Sequence, residues 1–285
     1  MVLVTVVIPT FNNAATVGRT IAAVWPQVDE VLVVDDGSTD ATRDIAREQG
    51  ATVIQVQGRS AGHARNVGWQ RARNEIVLFT DSDAVPTPSW AAMLARAFEE
   101  PDVLIAGGSV GSLSETRFGR LYHRMYVGLD AANFHDGSVY LPGMNLAVRK
   151  SLYERVRFSD ALPGAQCEDV DFEMRAAALG IRPRFVPEAV VLHHQPADFG
   201  EFVEQELRHG EGRARLVRLH PELKRLWHTD RVWKWFLMST VGASAHVLYA
   251  LRRTKRFDVP LLVLHVLRMA IGDHGFLRGT RKLRG

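Results

Sequence analysis

The chain is short of cysteine, of long apolar runs and of glycine-rich phosphate loops, and each shortage removes a class of protein. Cys167 is the only cysteine among 285 residues, so no internal disulfide can form. That fits a reducing, cytoplasmic setting. The opening Met1-Val2-Leu3-Val4 runs straight into a strand pattern with no basic leader or cleavage site, so no secretory signal is expected. A membrane-spanning helix needs about 20 apolar residues. The stretches at 235–251 and 259–272 both fall short of that, the second broken by His265 and Arg268. No Gly-x-Gly-x-x-Gly follows the first strand pattern and no Gly-Lys-Ser/Thr loop occurs, which argues against dinucleotide and P-loop folds.

Net charge is small but unevenly spread. The net charge is +3, yet the segment from Arg252 to Gly285 holds nine basic residues against Asp258 and Asp273. A basic tail on a mildly acidic body points to an anionic partner surface. The leucine and valine in the tail favour an anionic membrane surface over nucleic acid.

Strand and helix patterns alternate through the first hundred residues. Residues 2–8 read as a strand buried on both faces and ended by Pro9. A helix is expected over 13–24, a strand at 31–34, a helix over 40–49 stopped by Gly50, and a strand at 52–56. A helix at 61–73, a strand at 75–80 and a helix from Pro88 to about Glu99 follow. Such alternation implies crossover connections and a mostly parallel sheet, with ligands outside the carboxyl ends of its strands. Those ends carry Pro9-Thr10-Phe11-Asn12, Asp35-Asp36-Gly37-Ser38 and Asp81-Ser82-Asp83. Two carboxylates one residue apart form a hard oxygen site suited to Mg²⁺ or Mn²⁺.

A second region, about 103–195, contains Gly143-Met144-Asn145-Leu146-Ala147, Glu168-Asp169-Val170-Asp171 and His193-His194. The acidic segment opens a helix that Gly180 closes. Phe172, Ala176 and Leu179 share one face of it, and Asp171 can pair with Arg175. Acids in a first turn are favoured by the helix dipole, so simple capping is the competing reading for Glu168 and Asp169.

In this order, these segments resemble a family 2 glycosyltransferase of the GT-A fold, over roughly residues 3–195. Val34-Asp35-Asp36-Gly37-Ser38 and Gly62-His63-Ala64-Arg65-Asn66 belong to the same ordered set. The resemblance implies a mixed α/β sheet flanked by helices. It implies a hexosyltransferase-like enzyme that takes a nucleoside-diphosphate sugar, preferably a UDP-sugar, and inverts by single displacement onto an acceptor hydroxyl. Pro9, Thr10 and Asn12 would surround the base, with Asp36 accepting the N3–H of a uracil or thymine ring. Arg65 would lie near the base or diphosphate. Asp81 and Ser82 would meet ribose or sugar hydroxyls. Asp83 would hold the metal with His193 or His194, His193 slightly preferred. Asp169 would be the base, with Glu168 as runner-up. Gly108, Met144 and Asn145 would line the sugar or acceptor pocket. A sugar-phosphate nucleotidyltransferase and a nucleotide-sugar-binding scaffold without catalysis are the competing functions.

These assignments divide the chain into a GT-A domain at 1–200 and a helical extension at 201–285. Gly210 and Gly212 interrupt a charged helix at 201–219 and mark a bend or hinge. The two apolar stretches read as interfacial helices or a shallow hairpin flanked by tryptophan and arginine, the competing reading being a buried helical hairpin packed on the enzyme or a dimer contact. The expectation is a peripheral protein at the inner face of the cell membrane, acting on an acceptor that is lipid-linked.

Overall fold

The computed structural model describes residues 3–57, 60–127, 141–162, 167–225 and 259–283. The chain divides into two compact units, Met1–Leu113 with Asp130–His194, and Ser114–Leu129 with Gln195–Gly285.

The first unit is built on one eight-stranded sheet. Its strands are β1 (Val4–Thr10), β2 (Glu30–Asp35), β3 (Thr52–Gln55), β4 (Ile76–Phe79), β5 (Ala84–Pro86), β6 (Ile105–Ser112), β7 (Leu146–Arg149) and β8 (Arg184–His193). They lie in the order β3-β2-β1-β4-β7-β6-β8-β5. The first four are parallel, joined through the helices α1 (Val17–Val24), α2 (Thr42–Glu48) and α3 (Ala61–Arg71). β7 then runs antiparallel between β4 and β6, so the sheet is mixed. α4 (Trp90–Ala97) and α6 (Glu168–Ala178) are its other α-helices among the described residues.

Alternation along each strand feeds two cores. Val6, Ile8 and Leu78 face Ile21, Trp90 and Leu94 from α1 and α4. Val7 and Phe79 face Trp69 and Phe172 from α3 and α6. Trp69 is fully buried and meets Phe79, Tyr153, Phe158 and Phe172 edge-on at 5.3–6.4 Å. Gly68 lets α3 sit this close, because a Cβ there would stand 2.3 Å from Val7 Cγ1.

Several expected boundaries move. β1 continues through Pro9 to Thr10. Pairing with β4 ends at Val7, so the missing proline N–H breaks no ladder bond. α1 starts at Val17 because residues 13–14 are used elsewhere: the Asn13 N–H donates to Thr42 Oγ1 and the Ala14 N–H to Asp40 Oδ2. α4 begins at Trp90, after Ser89 in the left-handed region at φ 69°. Leu179 does not join Phe172 and Ala176 in the core. It caps α6 and is half exposed, and Ile181 is buried instead. Asp171 and Arg175 do pair, at 2.6 Å.

The second unit contains α5 (Arg117–Val127), α7 (Phe199–Leu219) and α8 (Val259–Lys282). Tyr122, Met125, Phe202, Leu261 and Leu264 form its core. Asp198 caps α7 by accepting the Glu201 N–H at 3.0 Å. α7 runs unbroken through Gly210 and Gly212, so no hinge stands there. A Cβ on Gly210 would lie 2.1 Å from the Gly272 carbonyl oxygen, so the glycine lets α7 and α8 touch backbone to backbone. α8 likewise continues past Gly272 to Lys282. The apolar stretch at 235–251 lies outside the described residues. Among the described residues no helix is long and apolar enough to cross a membrane.

Candidate active site

The strand ends deliver their loops side by side. Thr10 pairs with Asp35 across β1 and β2, and the Asp36 N–H donates to the Thr10 carbonyl at 2.9 Å. Asp35 is fully buried and its carboxylate accepts the Ser38 N–H, which folds the loop and leaves Asp36 half-buried at its rim. Ser38 Oγ accepts the Asn12 N–H at 2.8 Å, and Asn12 Oδ1 accepts the Thr39 N–H at 2.8 Å. Asn12 holds φ 52°, a left-handed conformation that asparagine tolerates better than most residues. Thr10 Oγ1 is buried without a partner at this edge.

The Asp81-Ser82-Asp83 turn is held from below. Thr20 Oγ1 on α1 donates to the Ala84 carbonyl at 2.7 Å and lies 3.1 Å from the Ser82 carbonyl. β5 pairs antiparallel with β8, and the register sets Ala84 opposite His193. His193 Nε2 consequently lies 3.3 Å from Asp83 Oδ1. Burial pushes the Asp83 carboxyl up, but the hydrogen bond and charge of His193 outweigh it and hold it below the usual range. Burial pulls the His193 imidazole down, and Asp83 more than restores it. His194, the next residue along, is exposed.

Arg65 sits beneath this turn, 2% exposed. Its Nη2 donates to Asp81 Oδ1 at 2.7 Å and its Nη1 to Glu168 Oε1 at 2.6 Å. Both guanidinium ends are therefore committed to carboxylates. Glu168 is buried, and burial pushes its carboxyl up to about 7 against the pull of Arg65. Asp169 follows in the first turn of α6. Its Oδ2 accepts the Gly143 N–H at 3.0 Å and its Oδ1 its neighbour Val170's N–H at 2.9 Å. The half-buried Met144 stands beside this contact.

Asn145 and Gly108 carry structural duties. The Asn145 amide nitrogen donates to the Ser109 and Ala189 carbonyls at 2.8 Å each, and its oxygen accepts Trp90 Nε1 at 2.8 Å. β8 bulges beside Gly108, where a Cβ would stand 1.9 Å from the Ala189 carbonyl oxygen. Glycine is what allows that approach. Asp35 and Gly143 belong to motifs visible in the sequence, beside the chosen Asp36 and Met144, but their own roles, like those of Thr20 and Glu173, appear only in tertiary contact.

A mixed eight-stranded α/β sheet with acids at its strand ends defines a class, the GT-A-like folds. Residues 5–157 match the model described as Glycosyl transferase family 2, more than half of the chain, and the chain belongs to that family. It is 28% identical over 231 residues to the pre-mycofactocin glycosyltransferase of Mycobacterium tuberculosis, covering 77% of this chain and 48% of that protein. It is 27% identical over 289 residues to glycosyltransferase AglE of Haloferax volcanii, covering 94% and 91%. The chain thus spans about half the length of the first relative and most of the second. In fold it is similar to glucosyl-3-phosphoglycerate synthase from Mycobacterium tuberculosis, crystallised with Mn²⁺, uridine diphosphate and phosphoglyceric acid. That likeness has a TM-score of 0.59 at 24% identity and covers 76% of this chain and 78% of the other.

Proposed function

We propose that the protein is a metal-dependent inverting glycosyltransferase that moves a sugar from a UDP-sugar to an acceptor hydroxyl. The observation that carries this reading is that Asp36, Asp81 and Asp83 on loops, His193 at the end of β8 and Asp169 in the first turn of α6 stand at one edge of one sheet. Asp36, at the rim of its loop, would accept the N3–H of the base, beside Thr10 and Asn12.

The Asp83–His193 pair, partly open to solvent, supplies one oxygen and one nitrogen donor. Among the described residues no three such side chains cluster, so the remaining positions would fall to diphosphate oxygens and water. This donor set fits Mn²⁺ or Mg²⁺. Such a cation, when bound, supplies Lewis-acid stabilisation of the departing diphosphate. Asp169 is the proposed base. Two backbone N–H groups fix its orientation, and it would take the proton of the acceptor hydroxyl as the anomeric carbon is attacked. The uridine and metal ligands of the solved neighbour support this donor class. A peripheral membrane setting is part of the same proposal, supported by the basic tail and by exposed Val263, Val266 and Leu277 on α8.

Thermal shift with UDP, with and without Mn²⁺, tests the reading. A ligand at a hundred times its Kd adds about 2.7 kcal/mol. Stabilisation should require metal and vanish in Asp83→Ala, and Asp169→Asn should bind UDP normally but lose transfer. Metal-independent binding, or transfer surviving both substitutions, would overturn the mechanism.

A further inference from the structure

We propose that Arg65 is a positioning residue that links the donor turn to the base turn through Glu168. This rests on the functional reading above, in which Asp81 serves the donor and Asp169 the acceptor.

Arg65 belongs to α3 and is contacted from two sides. Asp81 leaves β4 and Glu168 opens α6, more than eighty residues apart in sequence. The two guanidinium nitrogens reach them at 2.7 and 2.6 Å. Phe158 closes one face, with the guanidinium carbon 5.6 Å from its ring centre. Phe158 is itself stacked on Phe172 of α6 at 4.7 Å. Gly143 closes the rest, since a Cβ there would stand 3.3 Å from Arg65 Cζ, from Nη2 and from Asp169 Cβ. The Arg65 Nε is buried with no partner. Leaving one donor unsatisfied is tolerated where the other two bonds fix the group's place.

The arrangement has a mechanical consequence. Asp81 and Glu168 cannot shift independently, because one planar fork holds both. Glu168 precedes Asp169 directly, and Gly143 donates its N–H to Asp169 where an added Cβ would press on Arg65. A donor that draws on Asp81 therefore pulls on the same guanidinium that sets the first turn of α6. Glu168 in this scheme is the far anchor of the link and not the base. The link would let an occupied donor site bring the base into register before the acceptor is attacked.

The test is the affinity for UDP with Mn²⁺, by titration calorimetry, together with kcat and donor KM. Glu168→Gln keeps an acceptor oxygen for Arg65 but removes the charge. We expect UDP affinity to fall about tenfold although Glu168 lies outside the proposed donor contacts. In an Arg65→Lys background, where a point charge cannot bridge both carboxylates, the same substitution should have no further effect. Gly143→Ala, which presses on Arg65 without altering a charge, should weaken UDP binding and lower kcat together. Wild-type UDP affinity in Glu168→Gln, or simple additivity with Arg65→Lys, overturns the link. Should Glu168→Gln fail to fold by circular dichroism, Gly143→Ala decides alone, and wild-type UDP affinity in it is the overturning result. A wild-type protein that binds no UDP at all fails the functional reading itself, and the link falls with it.

Discussion

Glu173 lies one turn after Asp169 on α6 and is buried, with both carboxylate oxygens 2.9 and 3.2 Å from the Leu141 N–H. Among the described residues no lysine or arginine pairs with it. Burial pushes its carboxyl well above the ordinary 4.5, and the Asp169 charge adds to that. The folded state then holds a proton that the unfolded chain releases, so stability is lost as pH rises above the ordinary carboxylate range. Glu173→Gln keeps an acceptor for Leu141 and removes the ionisation. Its unfolding free energy, followed by melting curves, should gain on that of wild type from pH 5 to pH 8, by at most about 1.4 kcal/mol per pH unit. Parallel melting curves across that range would refute the assignment. The contrast with Asp81 and Asp83 shows what was legible at this scale. Those acids announce themselves by following an apolar strand, a local signal. Glu173, Gly143 and Thr20 act through partners 26 to 64 residues away, and nothing near them in sequence marks the contact.

Elements were legible where their pattern is local and failed where packing decided. The alternation of β1 to β4 with their helices could be read because each run fits one period. On propensity Gly210 interrupts its helix, but the propensity deficit of about 1 kcal/mol is small beside tertiary contact. The structure makes Gly210 the closest approach of α7 to α8, with the Gly272 carbonyl oxygen and the Phe276 N–H atom's nitrogen 2.1 and 2.7 Å from a Cβ built there. Gly210→Ala should therefore destabilise the protein by about 1–3 kcal/mol, as overpacking does. Gly200→Ala, near the start of the same helix, meets only Asp198 Oδ1 at 3.2 Å and should be neutral or slightly stabilising. Chemical denaturation of the two variants separates these outcomes. Equal effects would return Gly210 to a matter of propensity.

At the scale of the whole molecule the parallel half of the sheet was predictable and the antiparallel insertion was not. β7 is four residues long and emerges directly from the Gly143–Asn145 turn, too short a run to show a strand period. Charge was legible as a total but not as an availability. Of the nine basic residues from Arg252 onward, Arg278 and Lys282 pair with Glu211 at 2.9 Å, and Arg268 faces the buried Glu206 at 3.5 Å. These three are therefore discounted as charge for membrane docking, to which exposed Val263, Val266 and Leu277 would add apolar contact. Each basic residue near an anionic surface contributes about 1 kcal/mol, and the attraction fades within a Debye length. The full chain should float with vesicles of equimolar phosphatidylglycerol and phosphatidylcholine at low salt, and much less with phosphatidylcholine alone. Raising the salt should release it in part, the apolar contact remaining. Arg252→Gln with Arg253→Gln should weaken flotation without changing UDP affinity, because neither residue is among the proposed donor contacts. Failure to float with the anionic vesicles would remove the membrane from the proposal while leaving the transferase reading untouched.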